Sequence, residues 1–295
     1  MYDASNALLG RMKGGLAMAT IGACAMFSAV CGSSLATAAT MARVAVPAMR
    51  RFNYADTLAT GAVAAGGTLG MLIPPSVVLV LYAIMTRNDI GKLFIAGLLP
   101  GLVGVLFYMG AVRYAVWRDP DAGPAGDPMN WRDQLRALRG ASGVAALLAV
   151  VIGGIYLGIF TPTEAAGIGA FVAFFLALSK RTLSWKKLFN VLVQTTETSS
   201  TLFVILIGAI LFGNFIDTAG LPSIMGDWLG TLQVSPLALL IVILAIYFVL
   251  GCFLESISMI LLTLPIVYPI IIHLGYDPIW FGIILVVVTE ISMIT

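Results

Sequence analysis

Two clusters of small, oxygen-bearing residues lie inside stretches otherwise apolar enough for lipid. The first joins Ser33 and Ser34 to Gly66, Gly67, Thr68 and Gly70, just ahead of Pro74, Pro75 and Ser76. Glycine permits unusual backbone angles, and each proline withholds a donor and clashes with the preceding turn. A helix broken in lipid leaves amides and carbonyls that need new partners. Such breaks persist where the freed groups line a cavity and bind something. One proline would read as a kink; three glycines beside two adjacent prolines read as a binding site. Hydroxyl and carbonyl oxygens converging there suit a hard cation such as Na⁺. Helix ends facing Ser33 and Ser34 would offer backbone amides to an anion.

The second cluster joins Glu255, Ser256 and Ser258 to Thr289, Glu290, Ser292 and Thr295. An acid at membrane depth costs roughly 2.5–3.5 kcal/mol on insertion scales, so such a residue faces a cavity and has a role. Glu255 reads equally as a cation ligand or a helix cap, and Glu290 as the partner of a helix end or a basic residue. The candidate cation ligands are Ser33, Ser34, Gly66, Gly67, Thr68 and Gly70 in one cluster and Glu255, Ser256, Thr289, Ser292 and Thr295 in the other. Ser33, Ser34, Thr68, Ser256 and Ser258 are the candidate contacts to an anionic substrate. Thr161-Pro-Thr-Glu164 reads as structural, an N-cap whose acid complements the helix dipole. Pro74 and Pro75 are structural too. His273 reads as interfacial, and Asp217 and Asp227 as solvated.

Composition sets the medium in which these clusters sit. Of 295 residues, 60% are hydrophobic and 10% charged, with a net charge of +2 and a mean hydropathy of +1.02. A soluble domain carries about a quarter charged residues, so the expected class is an all-α polytopic membrane protein. No basic patch with interleaved aromatics points to nucleic acid. Cys24, Cys31 and Cys252 have no metal-binding spacing and read as free thiols. The sequence has one histidine, and no HExxH, GxGD or GxSxG with a usable base. An intramembrane enzyme is disfavoured, and no cofactor is expected.

The elements that must position the clusters follow from apolar runs and breakers. Arms at 14–30 and 35–49 flank the tip Cys31–Ser34, and a broken span covers 57–85. A span at 93–117 precedes a hydrophilic loop over 118–139. Spans at 144–160 and 165–178 meet at the Thr161 turn. Residues 184–194 suit an interfacial amphipathic helix, followed by a span at 201–216 and a connection at 221–232. Arms at 237–250 and 259–272 flank a second tip, Glu255–Ser258, and 278–295 re-enters the membrane. Three basic groups (Arg11, Lys13, Arg50 and Arg51; Arg118, Arg132, Arg136 and Arg139; Lys180, Arg181, Lys186 and Lys187) fall on one side when spans are counted. That side is taken as cytoplasmic. Arg87 and Lys92 run against the pattern. The arms 14–49 and 237–272 read as re-entrant hairpins opening to opposite faces. A shift of 222 residues places Ser34 on Ser256, Pro47 on Pro269, Tyr54 on Tyr276 and Met71 on Met293. This order of features, with opposite sidedness, predicts inverted-topology repeats.

Several of these stretches together resemble a known family. Gly32-Ser-Ser-x-Ala-Thr-Ala-Ala, Gly66-Gly-Thr-Leu-Gly-Met-Leu-Ile-Pro-Pro-Ser76, Leu93-Phe-x-Ala-Gly-Leu-Leu-Pro-Gly101 and Gly153-Gly-x-x-x-Gly-x-x-Thr-Pro-Thr-Glu-Ala165 are similar to the large membrane subunit of tripartite ATP-independent periplasmic (TRAP) transporters. The resemblance implies Na⁺-coupled import of organic acids, of C4-dicarboxylate or sugar-acid type, across the inner membrane by an elevator mechanism. It also implies two partners, a periplasmic substrate-binding protein and a small membrane subunit. The chain is expected to be an internal fragment, lacking N-terminal helices and the Pro-Pro-x-Gly that follows the family's second threonine. Residues 1–92 would form the first transport half, 93–200 the scaffold, and 201–295 the second, truncated repeat. The nearest alternative is a stand-alone ion-coupled organic-anion permease.

Overall fold

The computed structural model describes residues 2–126, 130–181, 183–221, 224–225 and 235–294. Among them every regular element is helical. The α-helices are α1 (Tyr2–Leu9), α2 (Gly15–Cys31), α3 (Ser34–Arg51), α4 (Asp56–Thr68), α5 (Val77–Thr86), α6 (Ile90–Arg118), α7 (Trp131–Tyr156), α8 (Pro162–Ser179), α9 (Trp185–Thr218), α10 (Pro236–Gly251), α11 (Ser256–His273) and α12 (Pro278–Ile294). Five of the described helices, α6, α7, α8, α9 and α11, are long and apolar enough to cross a membrane. The protein is an all-α polytopic membrane protein. The arms α2 and α10 have 17 and 16 residues, or about 25 Å at the rise of an α-helix. That is short of the roughly 30 Å hydrocarbon core.

The chain divides into two compact units, the first built from residues 1–77 and 94–165, the second from 78–93 and 166–293. In the first, α2 packs against α1, α3 and α4, and α1 touches α7. Leu16, Ile21, Met41, Met49, Val63 and Leu69 lie in its core. The turn into α2 needs Gly14, at φ 74°, and its closeness to α6 excludes a side chain: a Cβ there would lie 3.0 Å from Val116 Cγ2. The loop after α6 grips the base of the α2–α3 pair. Gly14 N–H donates to Gly123 O (2.9 Å), Ala55 N–H to Ala122 O (3.0 Å) and Gly126 N–H to Gly10 O (3.0 Å).

In the second unit, α11 packs on α9 and α10. Tyr82 on α5 donates its hydroxyl to Pro278 O at 2.6 Å and meets the Tyr268 ring edge-on, centroids 6.4 Å apart. Asn88 Nδ2 donates to the Tyr268 hydroxyl at 3.2 Å. Applying the 222-residue shift to element bounds carries Ser34–Arg51 onto Ser256–His273 and the start of α4 at Asp56 onto the start of α12 at Pro278.

Three expectations need correction. The loop over 118–139 is shorter, and the span expected at 144–160 starts at Trp131. Trp131–Arg139 is rich in helix formers, with an Asp133–Arg136 ion pair at i,i+3 (3.7 Å), so it extends the apolar helix rather than looping. The interfacial helix at 184–194 and the span at 201–216 are one 34-residue helix, α9. The polar residues between them do not break it, because Thr195, Thr196 and Thr201 return their hydroxyls to Val191, Leu192 and Glu197 carbonyls at 2.8–2.9 Å. The second tip lies at Cys252–Glu255, since α11 already begins at Ser256. Residues Pro278–Ile294, within the stretch expected to re-enter the membrane, form the single helix α12. The connection at 221–232, including Asp227, lies largely outside the described residues, as does Thr295.

Candidate functional site

The first site is assembled where two helix ends meet. Helix α2 is capped by Gly32, in the left-handed region at φ 62°, and α3 starts two residues later. Ser33, in extended backbone, caps α3 by accepting from Ala36 N–H at 3.4 Å. Ser34 is the first residue of α3. This tip is seated in the break that follows α4. A Cβ at Gly70 would lie 3.1 Å from the Ser33 carbonyl carbon and 3.2 Å from Ser34 N, and one at Gly32 would lie 3.1 Å from Pro75 O. The break itself is a 3₁₀ turn, Leu69–Met71, followed by irregular chain and a cis Pro74–Pro75 peptide. Ser76 donates its hydroxyl to Met71 O across it. The structure therefore brings Ser33 and Ser34 together with Gly70 and the prolines.

The other members of that cluster play different parts. A Cβ at Gly66 would meet Cys24 Sγ at 2.9 Å, and one at Gly67 would meet Ala38 Cβ at 2.8 Å. These glycines let α4 press against α2 and α3. Thr68 is buried; its hydroxyl donates to Ala65 O at 2.9 Å and lies 3.4 Å from the Tyr108 hydroxyl. Tyr108, on α6, is a polar neighbour that carries no local sequence signal. Pro74 and Pro75 line a small apolar pocket with Phe94, Ile155 and Tyr156.

The second site repeats the logic within the second unit. Glu255 is exposed and caps α11, accepting from Ser258 N–H at 3.1 Å and lying 3.4 Å from the Ser258 hydroxyl. The cap, one of its two readings, is formed here. Ser256 is buried and donates to Met293 Sδ at 2.6 Å. Gly251, at the end of α10, faces Ser292 so closely that a Cβ would overlap it. Ser292 and Thr289, both buried, turn their hydroxyls to Thr289 O at 2.7 Å and Leu285 O at 2.8 Å. Glu290 beside them is 4% exposed. Gly251 and Met293 complete this contact. The repeat shift pairs Met293 with Met71, which is the signal that finds it.

Thr161 and Glu164 stand apart from both clusters. They form a reciprocal capping box at the start of α8, with Thr161 N–H donating to Glu164 Oε2 at 2.8 Å and Glu164 N–H to Thr161 Oγ1 at 3.3 Å. Asp217 is exposed, as its solvated reading expects. It lines a cavity of about 450 Å³ in the second unit with Thr86, Arg87, Asn214, Pro265 and Tyr268.

In each unit a helix pair brings serine to a neighbouring segment, Ser33 and Ser34 to Gly70 in the first and Ser256 to Met293 in the second. Comparison with known proteins decides the family. The profile of the tripartite ATP-independent periplasmic transporter, DctM component, matches residues 1–295. The chain belongs to the DctM family. It is 40% identical to the C4-dicarboxylate TRAP transporter large permease protein DctM of Pseudomonas aeruginosa, over all of this chain and 69% of the relative. It is 32% identical to the sialic acid TRAP transporter large permease protein SiaM of Vibrio cholerae, over all of this chain and 69% of that protein. It is 34% identical to the isethionate TRAP transporter permease protein DctMQ of Oleidesulfovibrio alaskensis, over all of this chain and 46% of that longer protein. As a DctM-family permease subunit, the chain is a multi-pass membrane transporter component and not an enzyme. Its family implies a periplasmic binding protein and a small membrane subunit as partners.

Proposed function

We propose that this permease imports an organic acid across the cytoplasmic (inner) membrane in symport with Na⁺. A periplasmic binding protein hands over the substrate, and a small membrane subunit completes the scaffold. The observation that carries the reading is the seat of the Gly32–Ser34 tip in the Gly70–Pro75 break. Helix ends and a non-helical backbone meet there, and such places hold ions inside membranes. The C-terminal pole of α2 favours a cation, and the N-terminal pole of α3 favours a carboxylate. In this reading Ser33, Ser34 and the Gly66–Gly70 backbone hold one Na⁺. Glu255, Ser256 and the Thr289–Thr295 segment hold a second. Ser33, Ser34, Thr68, Ser256 and Ser258 face the substrate. The pairs α2–α3 and α10–α11 act as re-entrant hairpins of inverted repeats, residues 93–200 as scaffold, and the transport halves move as an elevator. C4-dicarboxylate is the first substrate to test, given the Pseudomonas aeruginosa relative.

The test is radiolabelled succinate uptake into proteoliposomes holding the permease and its small subunit. An inward Na⁺ gradient is set against K⁺, with the binding protein present or omitted. Uptake that needs both Na⁺ and the binding protein is the expected result. Uptake with Na⁺ alone would replace this reading by a stand-alone permease, and Na⁺-independent uptake would overturn the cation assignment.

A further inference from the structure

In the first unit two cations line a pocket that includes no residue of either cluster. Lys13, in the turn before α2, and Arg113, on α6, line a cavity of about 170 Å³ with Val116, Trp117 and Pro120. The fold builds this pairing. Gly14 lets the turn lie directly on Val112 and Val116 of α6, so the neighbouring Lys13 falls beside Arg113 and Trp117, which are one helical turn apart. Among the described residues no carboxylate lines the cavity. Asp119 nearby caps its own loop by accepting from Asp121 N–H at 3.3 Å. Two like charges held together are disfavoured unless an anion lies between them.

The surroundings indicate what that anion is attached to. Trp117 is 77% exposed and Leu106 68% exposed on a helix otherwise apolar enough to span a bilayer. Going down α6 from Arg113, the next residues on the same face are Gly110 and Leu106. A Cβ at Gly110 would meet nothing within 4 Å, so this face of α6 is open where it leads away from the cations. An exposed Trp beside Lys and Arg marks the headgroup level, and basic pockets at helix ends take anionic headgroups.

We infer that Lys13 and Arg113 bind the phosphate of an anionic glycerophospholipid whose acyl chain lies along the open Gly110–Leu106 face of α6. A free phosphate would meet the same two cations but would gain nothing from that apolar face.

The test uses the full transporter, purified and titrated with phosphatidylglycerol, phosphatidylcholine or inorganic phosphate, with bound lipid counted by native mass spectrometry. Phosphatidylglycerol is expected to bind in preference to phosphatidylcholine. Each cation contributes about fivefold, so K13Q/R113Q is expected to lose about 25-fold in phosphatidylglycerol affinity. K13R/R113K keeps it, and R136Q, whose cation is elsewhere, leaves it unchanged. G110L fills open space without a clash and weakens lipid binding while the cations remain. Phosphatidylglycerol binding unchanged in both K13Q/R113Q and G110L would overturn the assignment. Competition by millimolar inorganic phosphate, unaffected by G110L, would overturn the lipid and leave a soluble anion.

Discussion

Gly70 lies against the peptide that joins Ser33 to Ser34: a methyl group on Gly70 would sit 3.1 Å from the Ser33 carbonyl carbon and 3.2 Å from the Ser34 nitrogen. The neighbour is backbone, which cannot rotate away. Gly70→Ala is therefore expected to cost about 1–3 kcal/mol in the seating of the tip and to lower uptake roughly tenfold. Uptake by a monodisperse variant checks this, and wild-type uptake would show that the seat plays no part in transport.

Ser33 both caps α3 and is assigned to the Na⁺ site, and substitution separates the two roles. Glycine at an N-cap costs only a few tenths of a kcal/mol, whereas alanine costs about 1 kcal/mol. Ser33→Gly is expected to raise the Na⁺ concentration for half-maximal uptake several-fold with little change in Tm, while Ser33→Ala lowers Tm as well. A Na⁺ titration unmoved by Ser33→Gly would remove this hydroxyl from the site.

Gly282 faces the Tyr82 ring, where a Cβ would approach Cε1 to 2.6 Å. Gly282→Ala is expected to destabilise the second unit by about 1–3 kcal/mol. Combining it with Tyr82→Leu should cost less than the sum of the two changes, because the ring that clashes is gone. Thermal unfolding of the four proteins in the cycle measures this coupling, and strict additivity would contradict it.

Arg50 Nε lies 2.7 Å from Asp56 Oδ1, and this guanidinium holds the Asp56 carboxyl below its ordinary range. A depressed folded pKa stabilises above the unfolded value, about 3.9, and that contribution is lost as pH falls through the folded value. Both side chains are 62% exposed, so the effect is small and screened by salt. Wild type and Asp56→Asn should differ slightly in Tm at neutral pH and low salt. They should converge in acid below about pH 4 or at high salt.

Much of the site was legible because its signals are local. Gly32, Pro74 and Pro75 carry their backbone consequences in their own types, so the tip and the break could be placed to within a residue or two. Thr161 and Glu164 likewise announce a cap by spacing alone. What stayed hidden depended on contacts distant in sequence. Nothing near Tyr108 says that it reaches Thr68, and nothing near Gly251 says that it presses on Ser292. The polar run Thr195–Thr201 looked like an interruption because hydropathy counts a hydroxyl as polar, although each bonded threonine returns its hydroxyl to its own helix. Trp131–Arg139 misled in the opposite way: its charge read as loop, while its residue types favour helix.

The grip on the base of the α2–α3 pair is made entirely of main chain, through Gly14–Gly123, Ala55–Ala122 and Gly126–Gly10. Side-chain replacement, proline apart, leaves such bonds in place. The residues along this loop can change while the clamp endures. The constraint falls instead on bulk, at Gly123, where a Cβ would meet Val116 at 2.8 Å and Leu58 at 3.1 Å, and at Gly126, where it would lie 3.0 Å from Gly10 O. A mutational scan of 119–126 would register two intolerant glycines, and replacing amides by esters would reveal the main-chain bonds themselves.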